Sequence, residues 1–328
     1  AKEGGALAYL VAGLGYIGAQ LAADLLEAGE RVVGVDNLFA TDSRAIARLR
    51  KWHSFSFVRG SIASRQTLAR AFGAAPIDFV FALAAQASAH PEAASPRYTE
   101  TTNLLAPRLL LEAAVAHGAR AVVYGSSFRV YGDTPPAQAR EDSPYGRFGD
   151  LSHLSKVYVE KLMEMYAFAC GLRCVAVRLG LVYGVGPVMK SDYRFLTAPN
   201  KFCLQAVRGE TLVVGESGLK ATALLHVADA SRALRQALAL PEPPTYLAVN
   251  AATEVANMLD VARLVANAAK QHGLSVAIAV PASPPAAERG EVPSRLREVG
   301  FRPTRSLAEG IAETLAYYQR VTQTRRRP

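Results

Sequence analysis

The 328-residue sequence has little cysteine, no long apolar run and no spaced set of metal ligands, and each shortage excludes a class of protein. Its three cysteines, Cys170, Cys174 and Cys203, are too few for a disulfide framework and lack histidine partners at zinc-site spacing. We expect buried thiols and no metal. No apolar stretch approaches the ~20 residues that span a bilayer, and the first residues lack the pattern of a signal peptide. We therefore predict a cytoplasmic protein.

The sequence also has fewer acidic than basic residues. Lysine and arginine number 37 against 28 aspartates and glutamates, which gives a formal net charge of +9. Such an excess indicates nucleic acid, a membrane surface or a small anionic ligand as partner. The one dense basic run, at residues 325–327, is not accompanied by a zinc finger, an RNA-binding motif or an aromatic–basic stripe. We expect a small anionic ligand, and neither nucleic acid nor a membrane.

Apolar runs alternate with amphipathic stretches over the first 180 residues. Continuous apolar strands separated by helices indicate a parallel sheet covered on both faces. The predicted strands are 6–12, 31–36, 55–59, 78–83, 119–124 and 173–178. The predicted helices are 18–28, 41–51, 64–73, 97–117 and 151–169. Pro107 should kink the fourth helix or split it in two.

The pattern changes near residue 185. Short apolar pieces and loops follow, with helices near 227–239, 254–272 and 306–320 and a proline-rich connector at 281–285. We predict an α/β protein with a doubly wound parallel (Rossmann) sheet. Its NAD-binding domain spans 1–185 and a smaller substrate lobe spans 186–328, with segments near 224–250 returning to the Rossmann sheet.

A glycine-rich turn carries the first functional signal. Gly13, Gly15 and Gly18 follow a predicted strand and open a predicted helix. Glycines there let the backbone approach a pyrophosphate, which binds the free N–H groups of the helix. Asp36 ends the next strand, where a carboxylate binds the adenosine ribose and repels a 2′-phosphate. The unit predicts a dinucleotide site that prefers NAD to NADP.

These and further motifs resemble the extended short-chain dehydrogenase/reductase family, specifically its NAD-dependent sugar-nucleotide epimerases and dehydratases. The similarity covers nearly the whole chain. It is carried by Gly15-Tyr-Ile-Gly18, Val35-Asp-Asn-Leu38, Phe81-Ala-Leu-Ala-Ala-Gln86, Asn103, Tyr124-Gly-Ser-Ser127, Val130-Tyr-Gly132, Lys156, Val182-Tyr-Gly184 with Pro187, His226-Val-Ala-Asp229 and Ser306-Leu-Ala-Glu-Gly310.

The resemblance implies both a cofactor site and a reaction. The implied NAD contacts are Gly13, Gly15, Tyr16, Ile17, Gly18, Asp36, Asn37, Ser61, Ile62, Leu83, Ala84, Ala85, Asn103 and Lys156. In such enzymes NAD takes a hydride from a sugar carbon and usually returns it after a rearrangement. A tyrosine four residues before the lysine removes the hydroxyl proton, because the nearby ammonium lowers the phenol pKa. Ser127 would hydrogen-bond the reacting oxygen.

Ser152, not tyrosine, stands four residues before Lys156. A serine hydroxyl is far too weak an acid to replace the phenol. Three interpretations follow. Another group, namely Tyr145, His153 or Lys156 itself, acts as base; the reaction needs no base there; or the chain is a non-catalytic NAD-binding or partner-binding protein. The catalytic candidates are Ser127, Lys156, Tyr145 and Ser152.

The implied substrate site departs from the family as well. Leu181 replaces its asparagine, Thr222 its diphosphate-binding arginine, Ser61 its adenine-capping aspartate and Ala12 the first glycine of the turn. The expected substrate contacts are Arg129, Tyr183, Lys220 and Arg289, of which Arg129 is best placed to bind a carboxylate or phosphate. We therefore expect an enzyme of the epimerase, dehydratase, decarboxylase or oxidoreductase type with an anionic sugar-like substrate. The substrate itself and the reaction subtype stay open.

The resemblance also implies a homodimer through the helices at 97–117 and 151–169. Their apolar residues would supply the interface: Leu104, Leu105, Leu109, Leu110, Val157, Leu162 and Met165. The alternative is that all of these residues face the chain's own sheet.

Overall fold

A computed structural model describes residues 6–41, 43–87, 95–133, 139–189, 195–241, 245–281 and 292–326. Arg289, one of the expected substrate contacts, lies outside the described residues. Most of the proline-rich connector also lies outside them.

A seven-stranded parallel sheet forms the centre of the molecule. Its strands are β1 (Ala8–Ala12), β2 (Arg31–Asp36), β3 (Phe55–Arg59), β4 (Phe79–Ala82), β5 (Ala121–Ser127), β6 (Arg173–Leu179) and β10 (Tyr246–Ala251). Their order is β10-β6-β5-β4-β1-β2-β3, which confirms the predicted doubly wound sheet. The strand order reverses between β1 and β4, so a crevice opens at their carboxyl ends, where ligands bind in such sheets.

Helices cover both faces of the sheet. They are α1 (Tyr16–Glu27), α2 (Ser43–Leu49), α3 (Arg65–Gly73), α4 (Pro96–Glu100), α5 (Ala106–Ala116), α6 (Leu151–Cys170) and α8 (Val227–Gln236). One apolar core joins the sheet to α1 and α8, and a second joins it to α3, α5 and α6. The strands are apolar on both sides because each side faces a layer of helices.

The predicted helix at 97–117 is divided, as Pro107 led us to expect. A π-helical turn, Thr101–Leu105, separates α4 from α5, and Pro107 lies in the first turn of α5. Proline has no N–H to donate to the preceding turn, so the wider π turn falls where the regular ladder is interrupted. Asn103 lies in this turn and is buried.

Residues after the main Rossmann segment form a lobe with its own core. Its elements are β7 (Leu181–Tyr183), α7 (Ala198–Arg208), β8 (Leu212–Val213), β9 (Thr222–His226), β11 (Glu254–Ala256), α9 (Met258–Gln271), β12 (Ile278–Ala279) and α10 (Leu307–Arg326). Strands β11, β9 and β7 make a small sheet, and β12 pairs with β8. Over the described ranges, no helix combines the length and apolar character that crossing a bilayer requires.

Part of the predicted dimer surface is in fact core. Leu109, Leu110 and Leu162 are buried between their helices and the sheet of the same chain. For these three the alternative holds, because they lie on the helix faces that cover the chain's own sheet. The exposed apolar residues of α6 are Leu154, Tyr158, Met165 and Phe168.

Candidate functional site

The glycine turn lies at the crevice between β1 and β4. Gly13 has a φ of +98°, and a Cβ there would lie 2.5 Å from the backbone nitrogen of Ala84. A Cβ on Gly18 would lie 1.8 Å from the carbonyl oxygen of Gly13. These two glycines close the turn. A Cβ on Gly15, in contrast, would meet nothing nearer than Thr41 at 3.9 Å. The backbone at Gly15 is therefore open to a ligand, which fits a pyrophosphate at the start of α1.

The Asp36 carboxylate is held beside this turn. It accepts hydrogen bonds from the backbone nitrogens of Leu14 at 2.7 Å and Leu38 at 2.6 Å, and from the Thr41 hydroxyl at 3.1 Å. Leu38 adopts a φ of +61°, which is unusual for a residue with a side chain. The carboxylate keeps further acceptor capacity for ribose hydroxyls. Its charge and position fit NAD and oppose a 2′-phosphate.

A buried amide fixes the segment that follows β4. The Asn103 side chain donates to the carbonyl of Gln86 at 2.9 Å and to the Ser155 hydroxyl at 3.0 Å, and its oxygen accepts from the Gln86 nitrogen at 2.8 Å. The nitrogens of Leu83 and Ala84 donate to the carbonyl of Ala12. These bonds hold residues 83–86 next to the glycine turn. The segment after β4 and the turn after β1 therefore form the two sides of the crevice.

Ser152 is part of the same network. Its hydroxyl donates to the carbonyl of Gln86 at 2.9 Å, and only 8% of the residue is exposed. The Ser155 hydroxyl in turn donates to the carbonyl of Ser152. The one proton that Ser152 can donate is therefore used to hold the backbone.

Lys156 lies one turn further along α6. Its Nζ donates to the carbonyl of Gly125 at 3.0 Å and lies 4.8 Å from the centroid of the Tyr124 ring. Burial lowers the pKa of Lys156 to about 8, although the Glu160 carboxylate opposes this shift. Burial disfavours the ammonium, so this amine exchanges its proton close to neutral pH.

Ser127 ends β5, the strand whose Gly125 carbonyl accepts from Lys156. Its hydroxyl oxygen accepts from the backbone nitrogen of Arg129 at 3.2 Å. Among the described residues its own proton has no acceptor, so it can donate to a ligand. Arg129 is exposed in the 3₁₀ turn that follows, and its guanidinium donates to the carbonyl of Asp133.

Tyr145 belongs to a buried charge cluster. Its hydroxyl donates to the Glu160 carboxylate at 3.1 Å. Glu160 is fully buried and also accepts from Arg178 at 2.7 Å and from Ser126. Burial, followed by the Glu160 charge, raises the pKa of Tyr145 to about 12. In this structure the Tyr145 hydroxyl anchors its loop to Glu160 and keeps its proton at neutral pH.

His153 is placed by the start of α6. Its backbone nitrogen donates to Asp150, the N-cap residue, at 2.9 Å, and its ring nitrogen Nδ1 contacts the same carboxylate. Asp133 lies nearby, with ligand atoms of the three side chains within 4.8 Å of one another. The Asp150 carboxylate thus caps α6 and also contacts the His153 ring.

The expected substrate contacts differ in their burial. Tyr183 is completely buried in the lobe core, where its hydroxyl donates to the carbonyl of Ser306 at 3.5 Å. Its ring is therefore packed inside the lobe and offers no exposed surface. Lys220 is exposed in the loop before β9, and the Thr222 hydroxyl donates to its carbonyl at 3.4 Å. Ser61 is exposed after β3, and Ile62 is buried beside it.

One connection at the site was missed from the sequence. The buried Tyr16 hydroxyl donates to the carbonyl of Gly184 at 2.5 Å. Asn200 donates to this hydroxyl at 3.3 Å and accepts from the Gly184 nitrogen at 3.0 Å. The start of α1 is thereby tied to the lobe. A polar residue on the buried face of amphipathic α7 is the signal that could have indicated Asn200.

Comparisons with known proteins agree with this geometry. A family model described as "NAD dependent epimerase/dehydratase family" matches residues 9–252. The chain is 30% identical over 154 residues to UDP-glucose 4-epimerase of Yersinia pestis, a match that covers 46% of each chain. The chain thus spans about half the length of the curated relatives that it matches.

Two solved structures extend the likeness over the whole fold. UDP-glucose 4-epimerase of Thermus thermophilus, in complex with NAD, is 26% identical with a TM-score of 0.79, covering 95% of this chain and 99% of that one. UDP-glucose 4-epimerase of Thermotoga maritima, with UDP-glucose, is 22% identical with a TM-score of 0.82, covering 96% and 100%. The second likeness shows a shared fold.

Proposed function

The chain belongs to the NAD-dependent epimerase/dehydratase family, a family of enzymes whose cofactor is NAD, and on this premise we propose that it acts on a sugar or sugar-nucleotide-like substrate. The observation that carries the proposal is the pairing of an intact dinucleotide crevice with a buried Lys156 of lowered pKa. Proton transfer at this site differs from the tyrosine pattern that the sequence resembles.

NAD would be held along the crevice. The open backbone at Gly15 would receive the pyrophosphate, Asp36 the ribose hydroxyls, and the segment 83–86 the remainder of the cofactor. When bound, NAD supplies a reversible acceptor for a hydride from a substrate carbon. The other contacts implied by the sequence, including Asn37 and Ile17, belong to this same proposal.

Lys156 would be the acid and base. The pKa of Lys156 is about 8, so its Nζ is mostly a protonated ammonium below pH 8. Above pH 8 it is mostly a neutral amine, which can accept a proton from a substrate hydroxyl. The Ser127 hydroxyl would donate a hydrogen bond to the reacting oxygen. Ser152 would position Gln86, because its proton is used on the backbone. The nearby Tyr124 ring and Gly125 carbonyl hold the amine in place.

The substrate would be anionic. The named relatives act on UDP-glucose, yet Thr222 and Leu181 stand where the family places polar diphosphate contacts. Arg129 and Lys220 are exposed cations, and Arg289 is a third candidate from the sequence. We propose that Arg129 binds a carboxylate or phosphate of this substrate.

A non-catalytic NAD-binding or partner-binding protein is the second candidate. The occupied hydroxyls of Ser152 and Tyr145 favour it, since neither is free to act as the missing phenol. A cytoplasmic location stays a prediction. So does the division into an NAD-binding domain at 1–185 and a substrate lobe at 186–328.

Turnover by the NAD-loaded protein separates the two candidates. The substrates would be UDP-glucose, UDP-glucuronic acid and free sugar acids, with products separated by chromatography. We expect Lys156→Met to lower kcat by ~10²–10⁴-fold, the usual contribution of acid–base catalysis. Ser152→Ala should stay within roughly threefold of the parent.

Arg263→Gln on α9 is the matched control, because its guanidinium is exposed and far along the chain from the site. A parent protein that binds NAD but turns over none of these substrates would favour the non-catalytic candidate. A loss of more than 100-fold in Ser152→Ala would return the acid–base role to that hydroxyl.

We also propose a homodimer through α6. Leu154, Tyr158, Met165 and Phe168 recur at helical spacing on one face, and Phe168 is 93% exposed. An exposed apolar stripe of this kind marks an interaction surface.

A further inference from the structure

One edge of the central sheet lies in a stretch of the chain that has no acidic residue. Residues 43–77 contain seven lysines and arginines and no aspartate or glutamate, whereas the whole chain has a net charge of +9. This stretch forms α2, β3 and α3, and β3 is the last strand in the sheet order. Most of the excess positive charge therefore surrounds an edge strand that holds none of the proposed catalytic residues.

Half of the β3 backbone faces away from β2. The Gly60 nitrogen, just after the strand, donates to the carbonyl of Asp36 on β2. Backbone groups alternate in direction along a strand, so the even-numbered residues of this segment bond to β2 and the odd-numbered ones point outward. The outward groups are the carbonyl of Phe55, the nitrogen and carbonyl of Phe57, and the nitrogen of Arg59. Across the described ranges, β2 is the one strand that pairs with β3.

Three exposed cations surround these outward groups. Arg59 belongs to β3 itself, and Arg70 on α3 donates to the Arg59 carbonyl at 3.1 Å. The Arg50 guanidinium lies 5.6 Å from the centroid of the Phe57 ring. All three arginines are exposed, and no carboxylate of the described residues pairs with them. Phe57 packs on the core that includes α2, whereas α3 belongs to the other core, so the cations flank the edge from both faces of the sheet.

The free backbone and the charge together indicate one kind of partner. An open strand edge pairs with an extended peptide through main-chain hydrogen bonds, and charged side chains on the edge determine which peptide is accepted. A second copy of β3 would carry the same cations and be repelled. A nucleic acid would match the charge, but its phosphate backbone has acceptors and no donors for the outward carbonyls. An extended peptide with carboxylate side chains satisfies both requirements.

We propose that the β3 edge is a docking surface for an acidic peptide segment of a partner protein, which adds to the central sheet as a further strand. The peptide backbone would bond to both groups of Phe57 and to the Arg59 nitrogen. Its carboxylates would bind Arg50, Arg59 and Arg70 from the two faces of the sheet. This surface is separate from the proposed reaction, so its test does not depend on turnover.

Fluorescence anisotropy with the full chain, saturated with NAD to fill the dinucleotide crevice, tests the proposal. The probe is a labelled octapeptide of alternating glutamate and valine. Its comparisons are a lysine–valine octapeptide, a fully N-methylated glutamate–valine octapeptide and an oligouridylate of the same length. We expect the acidic probe to bind with a Kd of about 10–100 µM at low salt, since a few backbone bonds and exposed charges supply the affinity. The lysine and N-methylated probes should bind roughly tenfold more weakly or worse.

Removal of the charges locates the binding. A triple variant with Arg50→Gln, Arg59→Gln and Arg70→Gln should bind the acidic probe roughly tenfold more weakly, because three exposed charge pairs are lost. The affinity of the parent should also fall with added salt, which screens exposed charges.

The matched control loses the same net charge elsewhere. It combines Arg208→Gln, Arg263→Gln and Lys270→Gln, three exposed cations on helices of the lobe. Its affinity for the acidic probe should stay within about twofold of the parent.

A proline at the edge separates the backbone from the charge. Arg59→Pro removes an outward N–H and leaves the bonds to β2 in place, so it should bind the acidic probe roughly threefold more weakly than Arg59→Gln. An unchanged unfolding temperature shows that each variant is folded, and the N-methylated probe makes the same test on the parent. Failure of the acidic probe to bind, equal binding of the N-methylated probe, parent-like affinity in the triple variant at the edge, or tighter binding of oligouridylate would each overturn the proposal.

Discussion

Ser152 and Lys156 lie one turn apart on the buried face of α6, and their surroundings give them different chemistry. Ser152 donates its proton to the Gln86 carbonyl, so ionising the hydroxyl would also break a buried hydrogen bond. Lys156 lies in a site that disfavours its charge. Proton exchange near neutral pH therefore belongs to the amine.

The lowered pKa of Lys156 makes a prediction about stability. The folded protein releases this proton near pH 8, whereas the unfolded chain releases it near pH 10.5. Between these values the unfolded state binds more protons, so the free energy of unfolding rises with pH by up to about 3 kcal/mol. Below pH 8 and above 10.5 this group adds no slope. Urea titrations of the parent and Lys156→Met at pH 7.5 and 10 should show the rise in the parent alone. An equal rise in the free energy of unfolding in the parent and in Lys156→Met would contradict the lowered pKa of Lys156.

Asp36 carries a prediction about cofactor choice. Calorimetric titration should give tighter binding of NAD than of NADP, since the carboxylate repels a 2′-phosphate. Asp36→Asn should lower the affinity for NAD roughly tenfold. It should also reduce the difference in affinity between NAD and NADP. Asp142→Asn, an exposed carboxylate elsewhere, is the control. Tighter binding of NADP by the parent would refute the assignment.

The site could be predicted from the sequence where its residues are close in the chain. Gly13, Gly15 and Gly18 belong to one turn, and Asp36 ends the strand that pairs next to it. The role of Asn200 could not be predicted in this way, because its partner Tyr16 lies on a distant helix. Likewise, the sequence around Tyr145 does not indicate that its hydroxyl binds the Glu160 carboxylate.

Helix α6 has two faces with separate functions. Ser152, Lys156 and Glu160 follow one another at intervals of four, so they point to the sheet along one stripe. The residues on the opposite side, including Tyr158 and Met165, are exposed. One element therefore positions the proposed acid–base group and supplies the proposed interface.

The ion pair between Glu160 on α6 and Arg178 on β6 connects this helix to the sheet. We therefore expect the loss of the Glu160 charge to lower stability strongly. Glu160→Gln would leave the buried Arg178 without a counter-charge and should lower the free energy of unfolding by about 3–5 kcal/mol. Glu164→Gln is a matched control on the same helix, because its pair with Lys161 is exposed and should change stability by less than ~1 kcal/mol. Urea unfolding measures both. Similar losses in the two variants would show that the buried pair contributes no more than a surface one.

At the level of elements, the long periodic segments were predictable and the short ones were not. Strands β2 and β3 have their predicted bounds. Strand β2 has a continuous apolar centre, and three of the five residues of β3 are apolar. The lobe strands β8 and β12 have two residues each and exist through pairing with each other. A two-residue strand carries no periodicity. The amphipathic helix α7 was also missed, because the sequence there was interpreted as loop.

At the scale of the whole molecule, the central sheet and the lobe elements are linked beside the glycine turn. Tyr16 belongs to the helix that would receive the pyrophosphate, and its hydroxyl binds the lobe through Gly184. The proposed substrate would lie between the parts that this contact joins.

The assembly prediction concerns this whole molecule. Light scattering should give twice the mass of one chain at micromolar concentration. Phe168→Glu should give a monomer, because it places a charge in the exposed stripe of α6. Val213→Glu, at an exposed apolar position on β8, should leave the dimer intact. A parent protein of single-chain mass would exclude the dimer.

The place of β10 beside β6 bears on how the chain is made. Strand β6 ends at Leu179, but the neighbour that covers its edge begins only at Tyr246. A ribosome that adds ~5–20 residues per second needs roughly 3–13 s to synthesise the segment between β6 and β10. The edge of β6 is unpaired during this time. During the wait the nascent chain presents unpaired backbone N–H and C=O groups to other chains. Protection during synthesis is therefore needed most in this interval, and a fragment ending between the two strands should aggregate.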